Sequence, residues 1–234
     1  MHLFYTPEIV VKNELPEEEA VHCVRVLRLS QGDEILLTDG CGCFYKAEIT
    51  AVGGKRCLFA VKERIPQSPL WRGHLHIAMA PTKNMDRTEW FAEKATEIGF
   101  DELTFINCRF SERTSIKTER IERILVSAMK QSLKARKPVL NEMIPFDKFV
   151  SREWKGRKFI AHCYEGEKPL LKNCLLPGED VLVLIGPEGD FSPEEVEKAE
   201  ACGFCPISLG RSRLRTETAA LAACHILNLT NQIE

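Results

Sequence analysis

The chain has 234 residues, of which 44% are hydrophobic and 28% are charged, and its formal net charge is −2. This composition is typical of folded proteins and excludes a disordered chain, and the length suits one full domain with a smaller second one. The longest aliphatic run, Val181–Ile185, is far too short to span a bilayer. The first residues also lack the pattern of a secretory signal, so we expect a cytoplasmic protein.

The cysteines point to neither disulfides nor a metal site. There are ten of them, and a cytoplasmic location would keep them reduced. Cys202 and Cys205 form a CxxC pattern, but a structural zinc site needs four ligands and no second ligand pair follows. We therefore predict no metal.

The first third of the chain predicts a small β-rich module. A short helix is expected over residues 16–29, because Pro16 suits the helix start and three acids occupy the first turn. Strand-like stretches separated by glycine-containing turns then follow over residues 34–39, 43–52 and 55–62. Closed by a strand at residues 3–6, this meander would form a barrel-like domain that ends at a linker near Pro69.

From residue 70 the pattern changes to alternating strands and helices, which predicts an α/β domain with a mostly parallel sheet. Strands, each running into a turn, are expected over residues 74–81, 102–108, 157–165, 180–189 and 205–210. Helices are expected over residues 86–99, 118–136 and 216–232. Gly99 suits the end of the first of these helices.

The segment from Arg109 to Lys137 is basic, with nine Lys or Arg against three Glu. Within its predicted helix, helical spacing gives an apolar face of Ile121, Ile124, Leu125 and Ala128. The same spacing gives a basic stripe of Arg120, Arg123, Lys130, Lys134 and Lys137. Charge alone favours a solvated helix face over an RNA-binding surface, although phosphate contacts supply most of the affinity for RNA.

A turn after the most apolar strand gives the strongest local signal. The strand breaks at residues 186–189, and Ser192 with Glu195 forms a capping box that starts a helix. Small ligands bind α/β sheets beyond the carboxyl ends of strands, where glycine lets the backbone approach closely. A phosphate is disfavoured because Glu194 and Glu195 occupy the first helical turn. The sequence has neither a Walker A loop nor the GxGxxG pattern of dinucleotide-binding proteins.

A second signal lies near the end of the chain, where a strand and a basic loop lead into an alanine-rich helix. The small side chains of this helix are Ala219, Ala220, Ala222 and Ala223. They would let another backbone pack closely, as at a knot crossing or a subunit interface.

A specific resemblance is carried by LIGPEGDFSPEE and LGRSRLRTETAA, which are similar to the paired signature loops of SPOUT methyltransferases that modify N3 of a uridine in 16S rRNA. Other motifs of that family match in order through KNMDRTEWFAEKATEIGF, CRFSERTS and AMKQSLKARKPVL. The resemblance covers essentially the whole chain. It implies a PUA-like β-barrel RNA-binding domain over residues 1–69 and a SPOUT methyltransferase α/β domain with a trefoil knot over residues 70–234. It also implies S-adenosylmethionine as cofactor, the small ribosomal subunit as partner, and a homodimer.

The resemblance also implies the site residues. It assigns cofactor binding to His162, Cys163, Tyr164, Glu165, Ile185, Gly186, Pro187, Glu188, Gly189, Leu209, Gly210, Leu214, Arg215 and Thr218. It favours an RNA-binding role for Arg109, Arg113, Arg120, Arg123, Lys130, Lys134 and Arg136. As catalytic residues we expect Arg215, as a cation for a developing anion, and Glu217, as the group that orients it. A structural ion pair between the two is an equal alternative, and no residue is identified as the general base.

Three departures from the family pattern are visible: His2-Leu3-Phe4 where an Arg is common, Lys130 where an acid is common, and Asp190 where a second Gly is frequent after GPEG. Asp tolerates left-handed backbone conformations better than most residues. Two alternatives stay open. One is a non-catalytic RNA-binding protein, supported by Asp190 alone, and the other is a SPOUT enzyme that acts on another RNA.

Overall fold

The protein is described from a computed structural model, which covers residues 2–233. The chain forms two compact units. The first contains the residues up to 69 together with residues 126–137, and the second contains the remainder. The expected boundary after Pro69 placed residues 126–137 in the second domain, whereas in the structure they pack with the first unit.

The first unit contains a four-stranded mixed sheet. Its strands are β1 (Leu3–Tyr5), β2 (Glu34–Thr38), β3 (Cys43–Gly53) and β4 (Arg56–Pro66), in that order across the sheet. The predicted meander is confirmed, because β2, β3 and β4 pair antiparallel with their neighbours. β1 joins it by pairing parallel with β2. The core side chains are Phe4, Ile35, Leu37, Ile49 and Phe59.

The predicted N-terminal helix is shorter than expected. α1 covers Glu17–Val21 and continues as a π-helical turn over His22–Val26. Pro16 precedes the helix and the three acids stand in its first turn, which complements the partial positive charge of a helix N-terminus.

The second unit contains a six-stranded sheet in which every neighbouring pair is parallel. Its strands are β5 (Leu75–Met79), β6 (Glu102–Asn107), β7 (Val139–Pro145), β8 (Arg157–Ala161), β9 (Val181–Ile185) and β10 (Cys205–Ile207). Their order across the sheet is β10-β8-β9-β5-β6-β7. The predicted α/β class is therefore confirmed. Because the strands are parallel, their carboxyl ends share one edge of the sheet.

Helices pack against this sheet and cover its core. They are α2 (Met85–Ile98), α4 (Phe146–Val150), α5 (Pro193–Ala201), α6 (Thr216–Asn231) and the part of α3 (Thr118–Gln131) up to Leu125, with a 3₁₀ turn over Leu171–Asn173. The expected Gly99 cap and the capping box of Ser192 with Glu195 are both present. No helix among residues 2–233 is both long and apolar enough to cross a membrane.

The predicted basic stripe is wrong in its second half. We expected the helix to continue to residue 136, but α3 ends at Gln131 and Leu133 takes a left-handed backbone conformation, with φ 51°. Lys134 and Lys137 therefore do not extend the helical stripe. The apolar face is confirmed, since Ile121, Leu125 and Ala128 are buried.

Candidate active site at the carboxyl ends of the strands

Two adjoining cavities, of about 420 and 620 Å³, open at the carboxyl edge of the parallel sheet. The last residues of three strands line them, namely Ala161 of β8, Ile185 of β9 and Ile207 of β10. The two cavities share six lining residues, which are Ala161, Cys163, Asp190, Arg213, Leu214 and Ala219. Each volume lies within the range of about 300–1,000 Å³ that is usual for small-molecule sites, and the location is where α/β sheets bind ligands.

Most of the residues expected to bind a cofactor lie in the walls of these cavities. They are His162, Cys163, Tyr164, Ile185, Gly186, Pro187, Glu188, Gly189, Leu209, Gly210, Leu214 and Arg215. Glu165 and Thr218 line neither cavity. The walls are built by three loops: residues 162–168 after β8, 186–191 after β9 and 208–215 after β10. Below, these are called the first, second and third wall loops.

Asp190 links the first and second wall loops. Its φ of 67° lies in the left-handed region that Asp tolerates. One carboxylate oxygen accepts a hydrogen bond from the backbone N–H of Cys163 at 2.7 Å, and the other accepts from the N–H of Phe191 at 2.8 Å. The residue that departs from the family pattern thus fixes the geometry of both loops.

Tyr164 and Gly186 add to this link. The Tyr164 hydroxyl donates to the Phe191 carbonyl oxygen at 2.6 Å. Phe191 is fully buried, and a Cβ at Gly186 would stand 3.1 Å from its ring and 3.2 Å from its backbone nitrogen. Such a contact is tighter than most real Cβ contacts, so a larger residue at position 186 would require Phe191 to shift by a few tenths of an ångström.

Carboxylates also bind the second wall loop and α5 to neighbouring segments. Glu188 accepts the backbone N–H of Lys83 at 2.9 Å. Glu195 accepts the N–H of Arg109 at 2.8 Å and that of Ser192 at 2.8 Å. The cavity walls are therefore held by backbone-directed hydrogen bonds, which satisfy amide groups that loops would otherwise leave unpaired.

His162 has a different environment. Both of its ring nitrogens are buried and have no hydrogen-bond partner among residues 2–233. Burial lowers the pKa of His162, so the ring is neutral at neutral pH. A buried polar group without a partner costs free energy, and a ligand in the cavity would be one way to satisfy it.

The expected pairing of Arg215 with Glu217 is wrong. Glu217 is buried, and its nearest cation is Arg87 of α2, at 3.9 Å from Nε to Oε1. The other oxygen, Oε2, has no hydrogen-bond partner among the described residues. Arg215 is exposed, and within that same part of the chain its side chain makes no ion pair or hydrogen bond. Arg215 precedes α6 in extended conformation, whereas Glu217 lies in the first turn of that helix.

Arg87 was missed by the sequence prediction. It lines the smaller cavity beside Arg213 and Arg215. The segment KNMDRTEWFAEKATEIGF, which contains Arg87, was matched to the family. Arg87 and Glu217 are 130 residues apart in the sequence, however, and no local pattern indicates that they are in contact.

The residues expected to bind RNA have separate surroundings. Arg120 pairs with Glu89 at 2.7 Å. Arg113 donates to the Lys83 carbonyl oxygen at 2.8 Å. In the first unit, Lys130 pairs with Glu19 at 2.5 Å and is only 23% exposed. Lys130 stands where the family commonly has an acid. Its ion pair with Glu19 gives the lysine a structural role at this position. The RNA-binding role of the set stays a prediction.

The cavity walls fit a cofactor such as S-adenosylmethionine. Apolar side chains of Ile185, Leu209 and Leu214 suit an adenine ring and aliphatic carbons. The ring nitrogens of His162, which have no hydrogen-bond partner among residues 2–233, are polar groups of the kind that such sites direct at a ligand. No cluster of metal-ligating side chains is found in the range 2–233.

Comparison with known proteins gives a consistent result. A family model for an RNA methyltransferase domain matches residues 69–228, and a model for an RNA methyltransferase PUA domain matches residues 15–62. The ribosomal RNA small subunit methyltransferase E of a Synechocystis species is 32% identical over 216 residues, which are 87% of this chain and 68% of that protein.

Two solved structures share the whole fold. One, from Porphyromonas gingivalis, is described as a probable rRNA-methyltransferase; it has a TM-score of 0.94 and 46% identity over 99% of this chain and 98% of that one. The other, a putative methyltransferase from Legionella pneumophila with bound S-adenosylmethionine, has a TM-score of 0.87 and 27% identity over 97% and 96% of the two chains. The predicted enzyme class is confirmed: the chain belongs to the family of RNA methyltransferases that carry a PUA domain.

Proposed function

We propose that the protein transfers the methyl group of S-adenosylmethionine to N3 of a uridine in the 16S rRNA of the small ribosomal subunit. The observation that carries the proposal is the double cavity at the carboxyl edge of the sheet, whose walls contain twelve of the fourteen residues expected to bind the cofactor. The cofactor and the class of RNA are supported by the relatives with those printed descriptions. Uridine N3 rests on the resemblance of the two signature loops.

The cofactor would supply an electrophilic methyl group on a good leaving group, so the main tasks of the protein are positioning and charge stabilisation. The linked first and second wall loops do the positioning, because Asp190 and Tyr164 hold them at fixed separation. The buried Phe191 behind them keeps the second wall loop rigid.

Methylation at N3 also requires the loss of the N3 proton, and the resulting charge spreads onto the O2 and O4 atoms of the base. Arg215 lines the smaller cavity with an exposed guanidinium, where it would stabilise that charge. Arg87 lies in the same wall, and its Nε is 3.9 Å from the Glu217 carboxylate, so Glu217 would act on Arg87 rather than on Arg215.

The non-catalytic alternative depended on Asp190. Since Asp190 adopts the left-handed conformation and bonds both wall loops, the loop geometry gives no support to a lost cofactor site. We further propose a homodimer with the expected PUA-like domain as an RNA-binding module, in line with the family resemblance, and a trefoil knot in the second unit.

The test is methyl transfer to small ribosomal subunits from a strain that lacks the modification, followed by identification of the product nucleoside. We expect 3-methyluridine at one position. Transfer that gives a different methylated nucleoside would contradict the N3 assignment, and transfer only to another RNA would contradict the substrate. Light scattering of the purified protein tests the dimer separately.

A further inference from the structure

Three arginines stand at alternate positions on the third wall loop. Arg211, Arg213 and Arg215 are all exposed. Among the described residues, none of their side chains has an ion-pair or hydrogen-bond partner. The loop is at the same time a wall of both cavities, with Arg211 and Arg213 at the larger one and Arg213 and Arg215 at the smaller one. Unneutralised positive charge is therefore concentrated at the cavity mouth.

The two acids that line the cavities together with this loop are already engaged. Glu188 and Asp190 accept backbone N–H groups in the second wall loop and its neighbours. Glu217, the acid nearest along the chain, is buried and faces Arg87. Because these carboxylates already have partners, they do not pair with the three arginines. An external anion would provide the missing partner for the guanidinium groups.

Three of the predicted RNA-binding residues provide a contrast. Arg120 and Lys130 are each paired with a carboxylate, and Arg113 donates to backbone carbonyl oxygens. Exposed charge that is already paired gains less from a phosphate than charge that is not. The third wall loop is thus better placed to bind phosphate than Arg113, Arg120 or Lys130.

We propose that Arg211 and Arg213 bind the phosphodiester groups of the RNA that flank the target nucleotide, while Arg215 faces its base. This inference rests on the proposed function and names the groups that hold its substrate. A guanidinium binds phosphate oxygens in a two-point geometry, and such contacts set the register of the RNA without reading its sequence. Such phosphate contacts are needed when single-stranded RNA is bound, because the target base must turn into the cavity while the RNA backbone stays outside.

The experiment compares Arg211→Gln/Arg213→Gln with the wild type in the full chain. The probe is the unmodified small ribosomal subunit, and its KM and binding constant are measured between about 50 and 200 mM salt. We expect the salt slope of log binding to fall by about 1.4, roughly 0.7 for each phosphate contact with a single strand. KM for the subunit should rise several-fold, and the Kd for S-adenosylmethionine should stay within about twofold.

The matched control is Arg152→Gln/Lys155→Gln, which removes two exposed charges from the other edge of the sheet, just before β8. It should leave the salt slope and KM at the wild-type values. Arg211→Lys/Arg213→Lys should restore most of the salt slope, because the charge is retained. Thermal unfolding verifies that every variant is folded.

Two outcomes would overturn the inference. Unchanged KM and salt slope in the Gln variant would show that the arginines do not contact RNA. A weakened Kd for S-adenosylmethionine with normal RNA binding would assign them to a carboxylate of the cofactor instead. In both of these outcomes the wild type still transfers the methyl group. If the proposed function itself is wrong, the wild type transfers no methyl group to the subunit.

Discussion

The two edges of the six-stranded sheet differ in where their polar side chains are directed: several at the amino-terminal edge hydrogen-bond to one another, whereas several at the carboxyl edge line the cavities. At the amino-terminal edge, His74 contacts Glu102 at 2.8 Å, the second Glu102 oxygen accepts from Asn141 at 2.6 Å, and His76 contacts Thr104 at 2.8 Å. At the carboxyl edge, the arginines of the third wall loop are exposed and the imidazole of His162 has no partner within the described chain. The first arrangement stabilises the fold, and the second leaves groups available for a ligand.

This difference follows from topology as much as from composition. The loops that follow the carboxyl ends of β8, β9 and β10 form the cavity walls, where α/β sheets bind ligands. The polar side chains near the strand starts lie on neighbouring strands and hydrogen-bond to one another across the sheet. The comparison predicts that substitutions at the carboxyl edge change activity with little effect on stability. Substitutions at the amino-terminal edge should do the reverse.

The largest effect is expected for Arg215→Ala. Removal of one preorganised charge donor from a site of charge development lowers kcat by about 100-fold or more. The Kd for S-adenosylmethionine should change much less, because Arg215 is assigned to the base. Steady-state kinetics and calorimetry check this, with Arg152→Ala at the other edge as the control. Equal losses in kcat and cofactor affinity would contradict the assignment.

A smaller effect is expected for Asp190→Ala. The substitution removes the hydrogen bonds to Cys163 and Phe191 and places a residue with a Cβ but no carboxylate at a φ of 67°. Cofactor affinity should fall by about tenfold, as one or two hydrogen bonds of roughly 1 kcal/mol are lost from the walls. Asp190→Asn retains a hydrogen-bond acceptor, so its cofactor affinity should fall by less. Calorimetry with S-adenosylmethionine measures the affinity of both variants. An affinity of Asp190→Ala equal to that of the wild type would show that the carboxylate does not organise the loops.

At the amino-terminal edge, Glu102→Gln should lower the free energy of unfolding and leave turnover unchanged. The carboxylate accepts from both His74 and Asn141, and its pKa is lowered to about 2, chiefly by the hydrogen bond from His74. We expect a loss of about 1–3 kcal/mol, typical of a half-buried charge that loses its partner contacts. Urea denaturation gives the stability and a methyl-transfer assay gives the turnover. A drop in turnover at unchanged stability would reverse the comparison.

The last effect is confined to acidic pH. Burial lowers the pKa of His76 from 6.5 to about 4, so between these values the unfolded chain binds a proton that the folded chain does not. Stability should therefore decrease as the pH falls below 6.5, by up to about 1.4 kcal/mol per pH unit. His74 does not contribute in this window, because Glu102 raises the pKa of His74 above 6.5. Glu102 contributes only below 4.5.

The variant His76→Gln isolates this contribution. The difference in unfolding free energy between wild type and variant should change steadily from pH 6.5 to 4.5 and be constant above pH 7.5. A constant difference across the whole range would show that His76 titrates normally in the folded protein.

Sequence reasoning recovered the strands of the site because their apolar runs end abruptly at glycine or charged residues. It missed β7 and α4, since most residues of Val139–Pro145 are only partly buried and the strand lies at the sheet edge, where little apolar pattern is needed. The basic stripe was overextended because no residue type near Leu133 indicates the turn that ends α3.

The pairings of charged groups were the least predictable part. Glu217 meets Arg87 and Lys130 meets Glu19, across sequence separations of 130 and 111 residues. Local spacing could suggest only neighbours such as Arg215. The role of Asp190 was partly predictable: its tolerance of left-handed conformation was expected, whereas its bond to Cys163 depends on two loops meeting in space.

Calorimetric binding of S-adenosylmethionine to Leu214→Trp tests the central claim most directly. Leu214 lines both cavities and is half-buried, so an indole there would fill the space without removing a charge or an amide contact. If the carboxyl edge holds the methyl donor, wild type binds S-adenosylmethionine and the folded variant does not. Binding of equal affinity by the wild type and by folded Leu214→Trp would contradict this location of the site.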